Sequence, residues 1–215
     1  PEDFLFYEKI KVPPPTWCPE CRMIRRGIFR HERGLYKVRD DASGREFFSG
    51  IPAQSGLKVY DHDYWWSDNW DSMEYGQSYD FSRTFFEQFR KLMYAVPWPS
   101  RAVIDLVNSD YSNNAAYLKN CYLCFNTGRA EDSAYVMSSW GIKDCFDITE
   151  GGDTELSYQS QEIGNSYKTF FSFYCDKTSE VWFSRDCTGC TYCFGCVNLR
   201  GKHYYIFNKP YSKEE

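Results

Sequence analysis

The chain has 215 residues, enough for one or two domains with a sizeable core. Its net charge of −5 argues against bulk nucleic-acid binding, and no apolar run approaches membrane-spanning length or forms a visible signal peptide. Aromatic residues are 20% of the total, which suits thin strands that must gain much burial from few side chains.

The chain opens at PEDFLFYEKI without Met and closes at YSKEE, so both ends are expected to be truncated. After the aromatic start, KVPPPTW fixes an extended approach to Cys18-Pro19-Glu20-Cys21. Two thiolates at this spacing can share one tetrahedral zinc ion, and one such pair supplies two of four ligands. A redox pair or two idle thiols would have the same spacing.

Residues 22–37 read as a helix. Arg22, Arg26, Arg30, Arg33 and Lys37 fall on one side of the wheel, with Ile24, Ile28 and Leu35 opposite. From Cys18 to Arg39 there are seven basic and two acidic residues, a local charge of +5 in an otherwise acidic chain. The basic side could touch nucleic-acid phosphates, dock on the acidic remainder, or be a solvated face. Gly27 and Gly34 weaken the helix, and His31 is a candidate further ligand or an edge residue of the packed face.

LYKVR, a DDASG turn and REFFS predict a hairpin. The stretch from Lys58 to Tyr79 is dense in Trp, Tyr and Asp. Exposed, it would suit a sugar or a peptide; buried, it would cover the end of the next domain with Trp N–H groups paired to Asp. His62 between Asp61 and Asp63 could make an acid–base site, but no nucleophile accompanies it. Ser82 caps a predicted helix of about 83–95, whose stripe of Phe85, Phe89, Leu92 and Met93 is expected to be buried and which Pro97 stops.

From Asn108 to Cys196 a pattern recurs: Asn or Asp, a small residue, two variable residues, then an apolar or small one. Copies start at Asn108, Asn120, Asp132, Asp144, Asp153, Asn165 and Asp186, with a weaker one at Thr178, spaced by 12, 12, 12, 9, 12, 13 and 8 residues. Every second copy is 21–25 residues on, the length of one solenoid turn, which predicts about four turns. The Asn or Asp would sit at corners, and the small residues Cys121, Cys145, Ser166 and Cys187 would stack in one inward column. An irregular antiparallel domain with chance spacing is the alternative.

Eight of the ten Cys lie in this stretch, four of them as Cys187, Cys190, Cys193 and Cys196. Steps of three occur in zinc and iron–sulfur sites and are unusual for a disulfide framework. The same Cys could instead be small inward residues of tightening turns. The thiol content points to a reducing, cytoplasmic setting. Beyond them, VNLRGKHYYIFN predicts a terminal hairpin turning at Arg200-Gly201-Lys202, and Ser212 and Glu215 have capping-box spacing for a further helix.

FYEKIKVPPPTWCPECR with the RR-rich stretch after it resembles the second half of the probable zinc-ribbon family. With YWWSDNWD, FSRTFFEQF, KNCYLCF and CFGCVNLRGKHYYIFNKPYSKEE, nearly the whole chain resembles a group of Cys-rich bacterial proteins. The resemblance implies zinc on Cys18 and Cys21, a first ligand pair before Pro1, a repeat domain behind, and no reaction.

The expectation is a mainly β protein: a β-solenoid-like repeat domain with an N-terminal zinc-knuckle and helix module and a short helical cap. Its parts would be residues 1–57 (partial zinc ribbon, basic helix and hairpin), 58–107 (Trp-rich segment and capping helix), 108–207 (solenoid and terminal hairpin) and 208–215 (start of a helix). The expected function is a zinc-binding, non-catalytic binding or scaffold protein whose partner is a macromolecule, protein or nucleic acid, with no membrane. One alternative is nucleic-acid association through Arg22, Arg26, Arg30 and Arg33. The other is a redox protein with zinc or an iron–sulfur cluster on Cys187, Cys190, Cys193 and Cys196. A carbohydrate-active enzyme would need paired carboxylates on neighbouring turns, and the sequence places none.

Overall fold

A computed structural model describes residues 3–28, 30 and 33–215. The chain divides into two compact units, Pro1–His31 and Glu32–Glu215. His31 lies outside the described residues.

In the first unit, Asp3–Lys9 and Pro19–Gly27 are helices. Cys18 is the N-cap of the second, its sulfur accepting from the Cys21 amide at 3.3 Å, and Pro19 occupies the first helical position, where a missing N–H is harmless. The helix expected over 22–37 stops at Gly27, and Tyr36–Arg39 is a strand. Two weak helix formers, Gly27 and Gly34, fall inside the proposed span, and strand pairing claims its far end.

The second unit begins with the expected hairpin: Tyr36–Arg39 pairs antiparallel with Glu46–Ser49. Its turn is tied by Asp40, whose carboxylate accepts from the Ser43 amide (2.7 Å) and hydroxyl. A short parallel pair, Val59–Tyr60 with Trp98–Pro99, leads into the repeats. The helix is Phe85–Ala95, with Thr84 rather than Ser82 at its N-cap. Phe85 and Phe89 stack on each other but stay about half exposed, so the expected buried stripe is only partly covered.

The solenoid runs from Val103 to Ile206 in parallel strands, about nine turns. Every parallel pairing in it joins residues twelve apart: Val103 with Ala115, Tyr122 with Ala134, Phe146 with Tyr158, Tyr167 with Ser179, Thr191 with His203. One 12-residue copy is therefore a whole turn, not half of one, which corrects the expected four turns of 21–25 residues.

The turn closes so tightly because the backbone takes a left-handed step at every third residue. From Asn114 to Asn126, for example, φ is positive at Asn114, Tyr117, Asn120, Leu123 and Asn126, and the series continues to Phe207. A turn thus has four corners. Each corner is followed by one residue pointing inward and one pointing outward. This conformation strains a side chain most when it branches at Cβ, and among the described residues no Val, Ile or Thr occupies a left-handed position. Those residues fill inward positions instead, as Val136, Ile142, Ile148, Ile163 and Val181. The spacing of nine between Asp144 and Asp153 is a move from one corner to the preceding corner of the next turn.

The backbone donors divide by position. A corner amide donates to the outward carbonyl one turn back, as Asn120 does to Val107 (2.9 Å). An outward amide donates to the inward carbonyl one turn on, as Tyr122 does to Ser133 (3.0 Å). The inward amide points into the core, where a serine one turn back accepts it: Ser109 from Cys121, Ser133 from Cys145, Ser157 from Thr169, Ser172 from Ser184. Buried amides need such partners, so the small polar interior is a condition of the fold.

Cys121 and Cys145 share one inward row with Ser133 between them, but Ser166 and Cys187 lie in two other rows. The single column expected from the repeat is in fact four rows. At the far end, Arg200–Lys202 is one more corner. His203–Ile206 pairs parallel with Thr191–Phe194, and the hairpin turns later, between Ile206 and Lys209. Residues 211–215 are not helical, although the Ser212 amide does meet the Glu215 carboxylate at 2.9 Å. Among the described residues, no helix is long and apolar enough to cross a membrane.

Candidate functional sites

The knuckle pair is fully accessible. The Cys21 amide, then the Cys21 thiol, hold the Cys18 thiol below its ordinary range, and Arg22 adds to this. Accessible thiols with N–H donors aimed at sulfur suit a metal-bound thiolate, so the pair fits two zinc ligands. Among the described residues no three His, Cys, Asp or Glu side chains are arranged to hold a metal ion.

Arg22 and Arg26 lie on the short helix, Arg30 lies beyond its end, and Arg33 belongs to the second unit. The basic stripe expected along one helix therefore does not form. Arg22 instead reaches the Tyr7 hydroxyl at 3.3 Å, and Arg25 lies over the Trp17 ring at 5.3 Å.

Cys187, Cys190, Cys193 and Cys196 occupy the four inward positions of one turn, all buried, and Cys187 stacks on Cys175 of the turn before. Each thiol donates to the backbone carbonyl two residues back, Cys187 to Arg185 at 3.4 Å and Cys193 to Thr191 at 3.4 Å. Burial raises the Cys193 thiol to about 12 and Cys145 to about 11. Cys124 and Cys175 are raised as well, each first by a neighbouring thiol and then by burial, while those neighbours, Cys121 and Cys187, are lowered by the same contacts to about 7 and about 6. A protonated thiol that donates to the carbonyl two residues back, as Cys193 and Cys145 do, makes the same bond as the interior serines. That role accounts for Cys at inward positions without a metal.

The Trp-rich segment is divided. Trp65 donates to the Pro97 carbonyl (3.0 Å), Trp70 to that of Trp65 (2.7 Å) and Trp98 to that of Met93 (2.8 Å). The partners are backbone carbonyls rather than the expected Asp side chains, because the chain folds back on itself here and brings its own carbonyls within reach. Trp66 is left 70% exposed. His62 Nδ1 contacts the Arg101 carbonyl at 3.4 Å.

The outward and corner positions hold what the sequence reading missed. Tyr158, Phe170, Trp182 and Phe194 follow one another turn by turn in a single row. Beside it, Phe171 and Phe183 stack at 4.8 Å with planes 2° apart. Rings of the two rows touch, Tyr158 with Phe171 and Phe183 with Phe194. The signal was present as aromatics twelve apart, but it is invisible at a 21–25-residue period. Other rows carry amide and charge ladders: Asn108 to Asn120 to Asp132, and Lys119 to Glu131 at 2.6 Å.

No family model and no curated protein matches the chain.

Proposed function

We propose that the chain is a non-catalytic scaffold whose solenoid binds another protein through its outward aromatic rows. The observation that carries this reading is the unbroken row Tyr158, Phe170, Trp182, Phe194, whose Tyr158, Trp182 and Phe194 remain well exposed. Contiguous apolar surface of this kind marks interaction sites. Its rings repeat at the spacing of paired strands, and a second copy of the chain carries a matching repeat. A two-fold contact would lay one row against the other.

Sedimentation velocity from low to high micromolar concentration tests this. A dimer is expected, and Trp182→Lys with Phe194→Lys should dissociate it. A wild-type chain that stays monomeric, or a double variant that stays dimeric, would overturn the reading.

The front module is proposed to hold zinc through Cys18 and Cys21 with two further ligands, as the likeness to the zinc-ribbon family implies. A reducing, cytoplasmic setting agrees with ten unpaired thiols. The nucleic-acid reading has less support, since its four arginines do not share one helix face, and the redox reading has less support, since the Cys187–Cys196 thiols are engaged with the backbone.

A further inference from the structure

Between the Trp-rich cap and the first turns of the solenoid lies an open cleft of about 460 Å³, on different rows from the aromatic face. That volume is within the range of small-ligand sites. Trp65 and Trp66 line it from the cap and Trp140 from the solenoid, with Ala102 and Ala116 supplying small walls between them. Trp65 is fixed by its bond to Pro97, and Trp66 meets it edge-on, ring centroids 5.0 Å apart. Trp140 lies against Gly128, where the absence of a side chain makes room for it.

Three polar groups complete the cleft. Arg101 binds the Asp110 and Ser112 carbonyls through one terminal nitrogen, while its Nε–H is buried without a partner. Asn114 donates to the Asn126 carboxamide at 2.8 Å, and Asn126 donates to Ser138 at 3.0 Å. This ladder uses one N–H of each amide. The second N–H of both, and the Asn114 carbonyl oxygen, are left for a ligand at the rim.

We propose that this cleft binds a saccharide. A pyranose ring has a C–H face that packs on indole and a rim of vicinal hydroxyls that each donate and accept. The three indoles offer the first surface, and the Asn114–Asn126 ladder offers the second. A quaternary ammonium guest would also suit an aromatic cage, but Arg101 lines this one and the Arg129 guanidinium lies 5.4 Å from the Trp140 ring. A plain aromatic guest would use the indoles and leave the Asn114 carboxamide unmatched.

The test is isothermal calorimetry on the full chain with tetrasaccharides of glucose, mannose, N-acetylglucosamine and glucuronate, beside tetramethylammonium and indole-3-acetate. Saturable binding of at least one saccharide is expected, and the glucuronate arm tells whether the Arg101 charge lining the cleft favours an acidic sugar. Trp66→Ala should weaken it about tenfold or more. Asn114→Gly, which keeps the corner's backbone freedom, should weaken it in the same direction. Tyr192→Ala, on another row, should leave it unchanged. Circular dichroism verifies that each variant is folded. No saturation with any of the four saccharides, tighter binding of either small ion, or undiminished affinity in both folded cleft variants would overturn the proposal. None of these results bears on the scaffold reading, which is read by sedimentation.

Discussion

The Ser133 hydroxyl lies 3.1 Å from the amide of Cys145, one turn further along the chain, and donates in turn to the Glu131 carbonyl at 2.8 Å. One small side chain thus satisfies two backbone groups on two turns. Ser133→Ala keeps the volume nearly unchanged but leaves a buried amide and a buried carbonyl without that partner. The expected loss is about 1–3 kcal/mol in chemical denaturation. Ser133→Cys should recover much of it, since Cys121 and Cys145 fill the same row. An alanine variant as stable as the wild type would show that the interior serines are spacers rather than ligands of the backbone.

Asn120 is a corner residue with φ of 53° and a rung of the amide ladder, donating to Asp132 at 2.8 Å. Asn120→Gly removes the rung and relaxes the corner, so the two effects oppose each other and the net change should be small. Asn120→Val removes the rung and adds a Cβ branch where none occurs in the solenoid, with an expected loss of about 2 kcal/mol or more. The pair of melting midpoints checks this, and equal midpoints would mean that the left-handed step carries no such restriction.

The Cys145 thiol should make the protein sensitive to alkali. Burial lifts the Cys145 thiol from its ordinary value of 9.0 to about 11. In an acid group raised in this way, the folded state keeps a proton that the unfolded state releases. The stabilisation is therefore complete below pH 9 and declines as pH rises toward 11. By pH 10 Cys145 alone should account for about 1.4 kcal/mol. Unfolding midpoints across this range should fall, and Cys145→Ser should flatten the decline. A decline from pH 8 to pH 11 that is the same in wild type and Cys145→Ser would contradict the burial of this group.

The solenoid was legible in the sequence because Asn108, Asn120, Asp132 and Asp144 mark one corner in four consecutive turns. Its period was not, because most other corners carry residues with no turn signature, such as Tyr117, Leu123, Arg129 and Lys168. At those positions the stacked ladder overrides the local preference, a tertiary effect that propensity cannot register. Row assignment failed for the same reason: where the Asn or Asp mark moves from Asp144 to Asp153 it changes corner, so Ser166 and Cys187 were placed in the wrong row. The hairpin at Tyr36–Ser49 was legible because its turn is local. The cleft was not, since Trp66, Arg101 and Trp140 meet only through the docking of the cap on the first turns.

Zinc on the knuckle predicts a particular pattern of thiol reactivity. Cys18 and Cys21 are exposed and the other eight thiols are buried. In the metal-loaded protein all ten should resist an aromatic disulfide reagent at neutral pH, and a chelator should release two. Cys18→Ser with Cys21→Ser should abolish both the metal and the released pair. Two thiols reactive before chelation, with no zinc by elemental analysis, would remove zinc from the front module.

Gly128 offers a way to move one wall of the cleft without touching its polar groups. A Cβ built there would fall inside the van der Waals envelope of the Trp140 ring. The Gly128 backbone is not in the left-handed region, so Gly128→Ala introduces no corner strain. The change should therefore act through Trp140 alone: either the indole swings outward, or the adjoining turns separate slightly. The parallel ladder through Trp140, which pairs it with both Gly128 and Gly152, resists the second response. Displacement of the ring should appear as a shift in tryptophan emission and near-ultraviolet circular dichroism, with a stability loss of about 1–3 kcal/mol, the usual range for overpacking. A variant with unaltered spectra would mean that Trp140 does not rest on Gly128 in solution, and that the cleft has a different wall.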